Sequence, residues 1–142
     1  MADLYDLLTN PNVRAALKQA WSESQPGASR AHEEGGFIVE RTSGEMRVVR
    51  WPRGSGRTIE VPPHHGCQVA GMDIVASFHT HPNVGADFLQ EPSETDRRAV
   101  RDDPDLKGAE YAGELVISAA LVYGVTPFGR VVELGSTEDM LL

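Results

Sequence analysis

The run Ile74-Val75-Ala76-Ser77-Phe78 leads directly into His79-Thr80-His81-Pro82, and this junction constrains the rest of the chain more than any other stretch. The run is mostly apolar, with β-branched and aromatic members, and reads as a buried strand. In a strand, residues i and i+2 point to one face. His79 and His81 should therefore aim their rings the same way, roughly 6–7 Å apart along the backbone. Pro82 has no N–H to give to a ladder, so the strand should stop there, with the histidines at its exposed end. After the spacer 83–92, Ser93-Glu94-Thr95-Asp96 reads as the first turn of a helix. Ser-x-x-Asp is also the pattern of a capping box, in which Ser93 caps the helix and the acid reaches back to the backbone. Taken with the histidines, a helical Asp96 can bring its carboxylate to the point they face. His79, His81 and Asp96 suit zinc, and three protein ligands leave a fourth position for water, the arrangement of a catalytic site.

Composition narrows the setting. Hydrophobic residues make up 40% and charged residues 24%, so a folded chain is expected rather than a disordered one. At 142 residues a single domain with a sizeable core is expected, spanning 1–142 with its core over about 11–134. Acids outnumber bases, 21 to 13, which argues against general nucleic-acid binding. Cys67 is alone, so the chain can form no internal disulfide and no cysteine-rich zinc site. No apolar run reaches membrane-spanning length and Met1-Ala2-Asp3 carries no basic leader, so the cytoplasm is the expected compartment, with no membrane partner.

In chain order, Leu4, Leu7 and Leu8 mark a short amphipathic helix. Asn10-Pro11 restarts it, Asn10 as cap and Pro11 at the first helical position. Val13, Ala16, Leu17, Ala20 and Trp21 give the next helix its apolar face. Phe37 to Val39 should begin a buried strand, preceded by Gly35-Gly36, which allow a close backbone approach or a bulge. Met46–Trp51 and Thr58–Val61 read as two further strands joined by a Gly-rich turn. His64 and His65 are adjacent and read as solvated. Cys67 reads as a small core or loop residue. A helix from Ser93 to about Arg101 should end at Asp102-Asp103-Pro104, with Arg97, Arg98 and Arg101 mostly on its solvated face. Leu115–Tyr123 is a continuous apolar run fit for one central strand, and Arg130–Leu134 returns as another. The tail from Gly135 reads as short helix or frayed chain. These elements suggest an α/β domain with a mixed sheet and packed helices.

Glu33 and Glu34 stand just before the Phe37 strand. Alone they read as surface acids. Beside a hydrolytic zinc centre, either is placed to be the base that takes a proton from water.

With these residues in view, the chain resembles the JAMM/MPN-plus zinc metalloproteases of the JAB-domain family, in their bacterial stand-alone form. Their signature is a glutamate on an early segment, then His-x-His-Pro, a spacer, and Ser-x-x-Asp. Here it matches Glu33, His79-Thr80-His81-Pro82 and Ser93-Glu94-Thr95-Asp96, over about residues 32–134, with Glu34 the adjacent alternative to Glu33. The spacer to Ser93 is longer than the family's usual one, and the chain has few long insertions. The resemblance implies an α/β sandwich with a curved mixed sheet of the cytidine-deaminase-like kind. It implies zinc held by His79, His81 and Asp96, Glu33 as general base, and Ser93 as oxyanion donor. It implies hydrolysis of isopeptide or peptide bonds, often after the C-terminal glycines of a ubiquitin-like protein. Two other expectations stay open: a zinc-containing module that binds without cutting, and a zinc hydrolase for a different amide.

Overall fold

The computed structural model describes residues 3–85 and 88–142. Two helices come first, α1 (Leu4–Thr9) and α2 (Pro11–Glu23). Asp3 caps α1 through a capping box, and the Asn10 side chain accepts from the backbone N–H groups of Asn12 and Val13 to start α2 behind Pro11. The strands are β1 (Gly35–Glu40), β2 (Met46–Arg50), β3 (Gln68–Val69), β4 (Met72–Thr80), β5 (Glu114–Ile117), β6 (Leu121–Val125) and β7 (Val131–Ser136). Helix α3 (Glu94–Arg101) lies between β4 and β5, and α4 (Thr137–Leu141) follows β7.

The seven strands form one open mixed sheet in the order β2-β1-β4-β5-β6-β7, with β3 paired to the start of β4. Only β4 and β5 run parallel; their connection carries α3. Strand alternation divides the side chains between two apolar layers. On one face, Ile38, Phe78, Leu115 and Ile117 pack with Leu7, Leu8, Val13, Leu17 and Leu141 of α1, α2 and α4. On the other, Phe37, Val39, Ile74 and Val116 pack with Trp51, Leu106, Tyr111 and Val100 of α3. His79 is one residue out of step with Phe78, so it belongs to the face that carries α3.

Gly35 and Gly36 serve close approach rather than a bulge. A Cβ on Gly35 would sit 2.5 Å from the Trp51 ring and 2.7 Å from the Phe78 carbonyl. The register shift in this strand pair falls further along, between Ile38 and Val39.

Two expectations are corrected, and the alternatives left for the tail are decided. Thr58–Val61 joins no ladder among the described residues. Pro52, Pro62 and Pro63 flank it without donors, Ser55 N–H takes the Thr58 carbonyl, and the preceding loop pairs with Glu33 instead of the sheet edge. The apolar run 115–123 is two strands, not one. It turns at Ala119-Ala120, where Ser118 N–H donates to the Leu121 carbonyl and Thr137 Oγ1 donates to the Ser118 carbonyl. Of the two readings of the tail, the short helix holds: β7 runs to Ser136, which caps α4.

Candidate metal centre

β4 ends at Thr80, and His81 N–H still donates to the Ile117 carbonyl at 2.8 Å, which holds the second histidine in extended register. The two rings converge, with centroids 4.9 Å apart and Nε2 atoms 3.1 Å apart. Asp96 faces them from the first turn of α3, Oδ1 3.3 Å from His79 Nε2 and Oδ2 3.2 Å from His81 Nε2. Among the described residues, this is the one group of three such side chains whose donor atoms lie close enough to share an ion.

The capping box of Ser93-x-x-Asp96 forms, and it uses the same carboxylate that faces the histidines. Ser93 Oγ accepts the Asp96 N–H at 3.0 Å, and Asp96 Oδ2 accepts the Ser93 N–H at 2.8 Å. The cap that starts α3 therefore also fixes the carboxylate that faces the histidines.

The donor set fits a cation. His79 Nδ1 lies 3.0 Å from Glu114 Oε2, and His81 Nδ1 lies 3.0 Å from the Gln90 carbonyl. A carboxylate and a carbonyl only accept, so each Nδ1 carries a proton, and in the neutral ring each Nε2 presents its lone pair. Two lone pairs and a carboxylate then face one point with no hydrogen among them, an arrangement that a positive charge stabilises. Donors at zinc distance, about 2.0–2.1 Å, in a tetrahedron are separated by about 3.3 Å, close to the distances found. In the metal-free chain, protons on the rings supply that positive charge instead. Burial pushes the His79 imidazolium down, but the Glu114 and Asp96 carboxylates outweigh it and hold His79 well above its ordinary value. Burial likewise opposes ionisation of Asp96, yet hydrogen bonds from His79 and His81 keep its carboxyl far below the usual carboxylate range.

Glu33 and Glu34 are separated by strand alternation. The β1–β4 ladder pairs Gly35 with His79, so Glu33 shares that face, and it lines the cleft with His81, Ser93 and Asp96. Burial pushes its carboxyl above the ordinary value, against the pull of the two histidines. Glu34 turns to the α2 face. Its oxygens lie 2.6 Å from His32 Nε2 and 2.5 Å from an Arg50 nitrogen that also meets Glu23. Thr80 points the same way as Glu34, bonded to Ser24 Oγ and the Glu34 N–H, away from the ligand point.

The centre lies in a cleft with two ends. One, of about 220 Å³, is walled by Pro82, Asn83, Phe88 and Leu89. The other, of about 310 Å³, is walled by Trp51, Thr58, Ile59, Val61 and Ala99. Glu33, Arg57, Ser93 and Asp96 belong to both. The loop carrying Arg57 is moored on Glu33: Glu33 N–H donates to Ser55 O at 2.7 Å and Gly54 N–H to Glu33 O at 2.9 Å. The Arg57 guanidinium lies 5.1 Å from the Phe88 ring centroid, and both line the first of these ends.

Sequence reasoning missed Glu114, which meets His79 from the first residue of β5. Its signal was an acid at the head of an apolar run, on the same face as Val116 by alternation. It also missed the moored 52–63 loop as a cleft wall. His64 differs from the expectation: it is not solvated, because its Nε2 lies 2.6 Å from Asp103 Oδ2 and its Nδ1 bonds the Pro62 carbonyl. His65 is exposed, as expected. Cys67 is buried, again as expected. Arg98 and Arg101 are solvated, whereas Arg97 is half-buried and donates to the Gly129 carbonyl at 2.8 Å.

No protein-family model matches this chain, and no curated protein matches it.

Proposed function

We propose that this protein is a zinc-dependent hydrolase of isopeptide or peptide bonds, acting after the C-terminal glycines of a ubiquitin-like protein, in the manner of the JAMM/MPN-plus enzymes its motifs resemble. The observation that carries the reading is convergence: His79 Nε2 and His81 Nε2 lie 3.1 Å apart, Asp96 sets Oδ1 3.3 Å from the first and Oδ2 3.2 Å from the second, and Glu33 and Ser93 line the same cleft. When bound there, zinc supplies Lewis acidity to a water and to the scissile carbonyl.

The chain supplies the rest. Glu33, held above its ordinary carboxyl value by burial, takes the proton from the attacking water and returns it to the leaving amine. Ser93 spends only its acceptor side on the Asp96 N–H, which leaves its O–H to donate to the oxyanion. Two cleft ends flanking one centre accommodate chain on both sides of the bond cut. The substrate assignment rests on the resemblance.

The test is cleavage of a ubiquitin-like protein extended beyond its Gly-Gly end. The zinc-loaded chain cuts after the second glycine and stops with a chelator. Glu33→Gln keeps its zinc and does not cut. Zinc-loaded parent that cuts no Gly-Gly-tailed protein but cleaves another amide overturns the substrate class. Cleavage by Glu33→Gln overturns the assigned base.

A further inference from the structure

Glu114 is 6% exposed and begins β5, the strand parallel to β4. The register sets it beside Ser77, two residues before His79 and on the same face. Its carboxylate thus spans the two side chains. Oε1 accepts from Ser77 Oγ at 2.9 Å, and Oε2 lies 3.0 Å from His79 Nδ1. Because Ser77 spends its proton on Glu114, it accepts from the Tyr111 hydroxyl, 2.8 Å away. Tyr111 is 4% exposed; burial and the Glu114 charge both push its phenol well up, so it stays a donor. The chain of bonds has one direction, from Tyr111 through Ser77 to Glu114, with His79 donating from the other side.

We propose that Glu114 is a positioning residue for the ion: its carboxylate, held by Ser77 and Tyr111, fixes His79 with Nδ1 protonated and Nε2 turned to the ligand point. Burying a carboxylate at a strand start is costly unless its oxygens are bonded, and both are here. A strand-forming role would be met by any apolar residue at this position, since Leu115, Val116 and Ile117 already fill both layers. Without the charged acceptor, His79 is free to take the other tautomer, whose Nε2–H faces the ion and cannot bind it. Gln90 does for His81 with a backbone carbonyl what Glu114 does for His79 with a charge. Glu114 is therefore the half of the support that a side-chain change can remove.

The inference rests on the reading of His79, His81 and Asp96 as zinc ligands. Its test is the dissociation constant for Zn²⁺, by chelator competition, in the full chain and in Glu114→Gln, Ser77→Ala and Tyr111→Phe. The expected result is zinc binding about 10-fold weaker in folded Glu114→Gln and a smaller loss in Ser77→Ala. The Co²⁺-loaded Glu114→Gln protein should also show an altered visible absorption band, which a purely structural role leaves unmoved. Zinc affinity within twofold of the parent in a folded Glu114→Gln overturns the proposal and leaves the hydrolase reading standing. Should Glu114→Gln not fold, Ser77→Ala decides it in the same way. A parent chain that takes up no zinc overturns both.

Discussion

Ser93 is asked to do two jobs, and a pair of substitutions separates them. Its Oγ accepts the Asp96 N–H at 3.0 Å and so caps α3, an eight-residue helix whose one buried residue is Val100. Ser93→Ala removes that acceptor and should cost about 1 kcal/mol, a fall in melting temperature of roughly 3–4 °C. Ser93→Gly should cost only a few tenths of a kcal/mol, since glycine tolerates the cap position. Both keep the backbone N–H that holds Asp96 Oδ2 at 2.8 Å, so both should keep zinc. Both lose the hydroxyl that faces the cleft, and a missing oxyanion donor costs about 10²–10³ in rate. Stability should therefore differ between the two while kcat falls equally, and Ser93→Thr should retain both. The assay is kcat on a Gly-Gly-tailed substrate beside thermal melting of the zinc-loaded variants. Parental kcat in Ser93→Gly would refute the reasoning and leave Ser93 a cap alone.

Other expectations follow from the same geometry. Glu33→Gln should lose turnover with unchanged stability, whereas Glu34→Gln should lose stability, on the order of 3 kcal/mol, because it strips a buried carboxylate from His32 and Arg50; urea titration beside turnover checks the pair. Gly35→Ala should destabilise by about 1–3 kcal/mol, since its methyl meets the Phe78 carbonyl and the Trp51 ring, and wild-type melting would contradict that packing. Burial pushes His64 down, but the Pro62 carbonyl and Asp103 more than reverse it, so its folded value lies above the unfolded 6.5. The stability it contributes is full below pH 6.5 and lost as pH rises through the folded value. Urea midpoints should fall between pH 6 and pH 8.5 by more in the parent than in His64→Asn, and equal falls would remove His64 from the account.

What could be read from the sequence was local. His79 and His81 share a face because they are two apart in a strand, and Pro82 ends that strand where the alternation predicts. Ser93 and Asp96 are three apart in a helical first turn, so the cap and a carboxylate facing the histidines were both visible. What stayed hidden needed register between distant segments. Glu114 meets His79 only because β5 lies beside β4 with Ser77 opposite its first residue. The choice between Glu33 and Glu34 turned on the pairing of Gly35 with His79. Thr58–Val61 has strand composition, but its neighbours leave it no ladder to join. The turn at Ala119-Ala120 carries neither Gly nor Asn and is braced by Thr137, far along the chain.

The most direct measurement is zinc content by elemental analysis of the purified chain, beside His79→Ala and Asp96→Ala. Close to one zinc per chain in the parent, lost in both variants, is the predicted result. A parent that holds no zinc, and takes up none when zinc is supplied, contradicts the central claim.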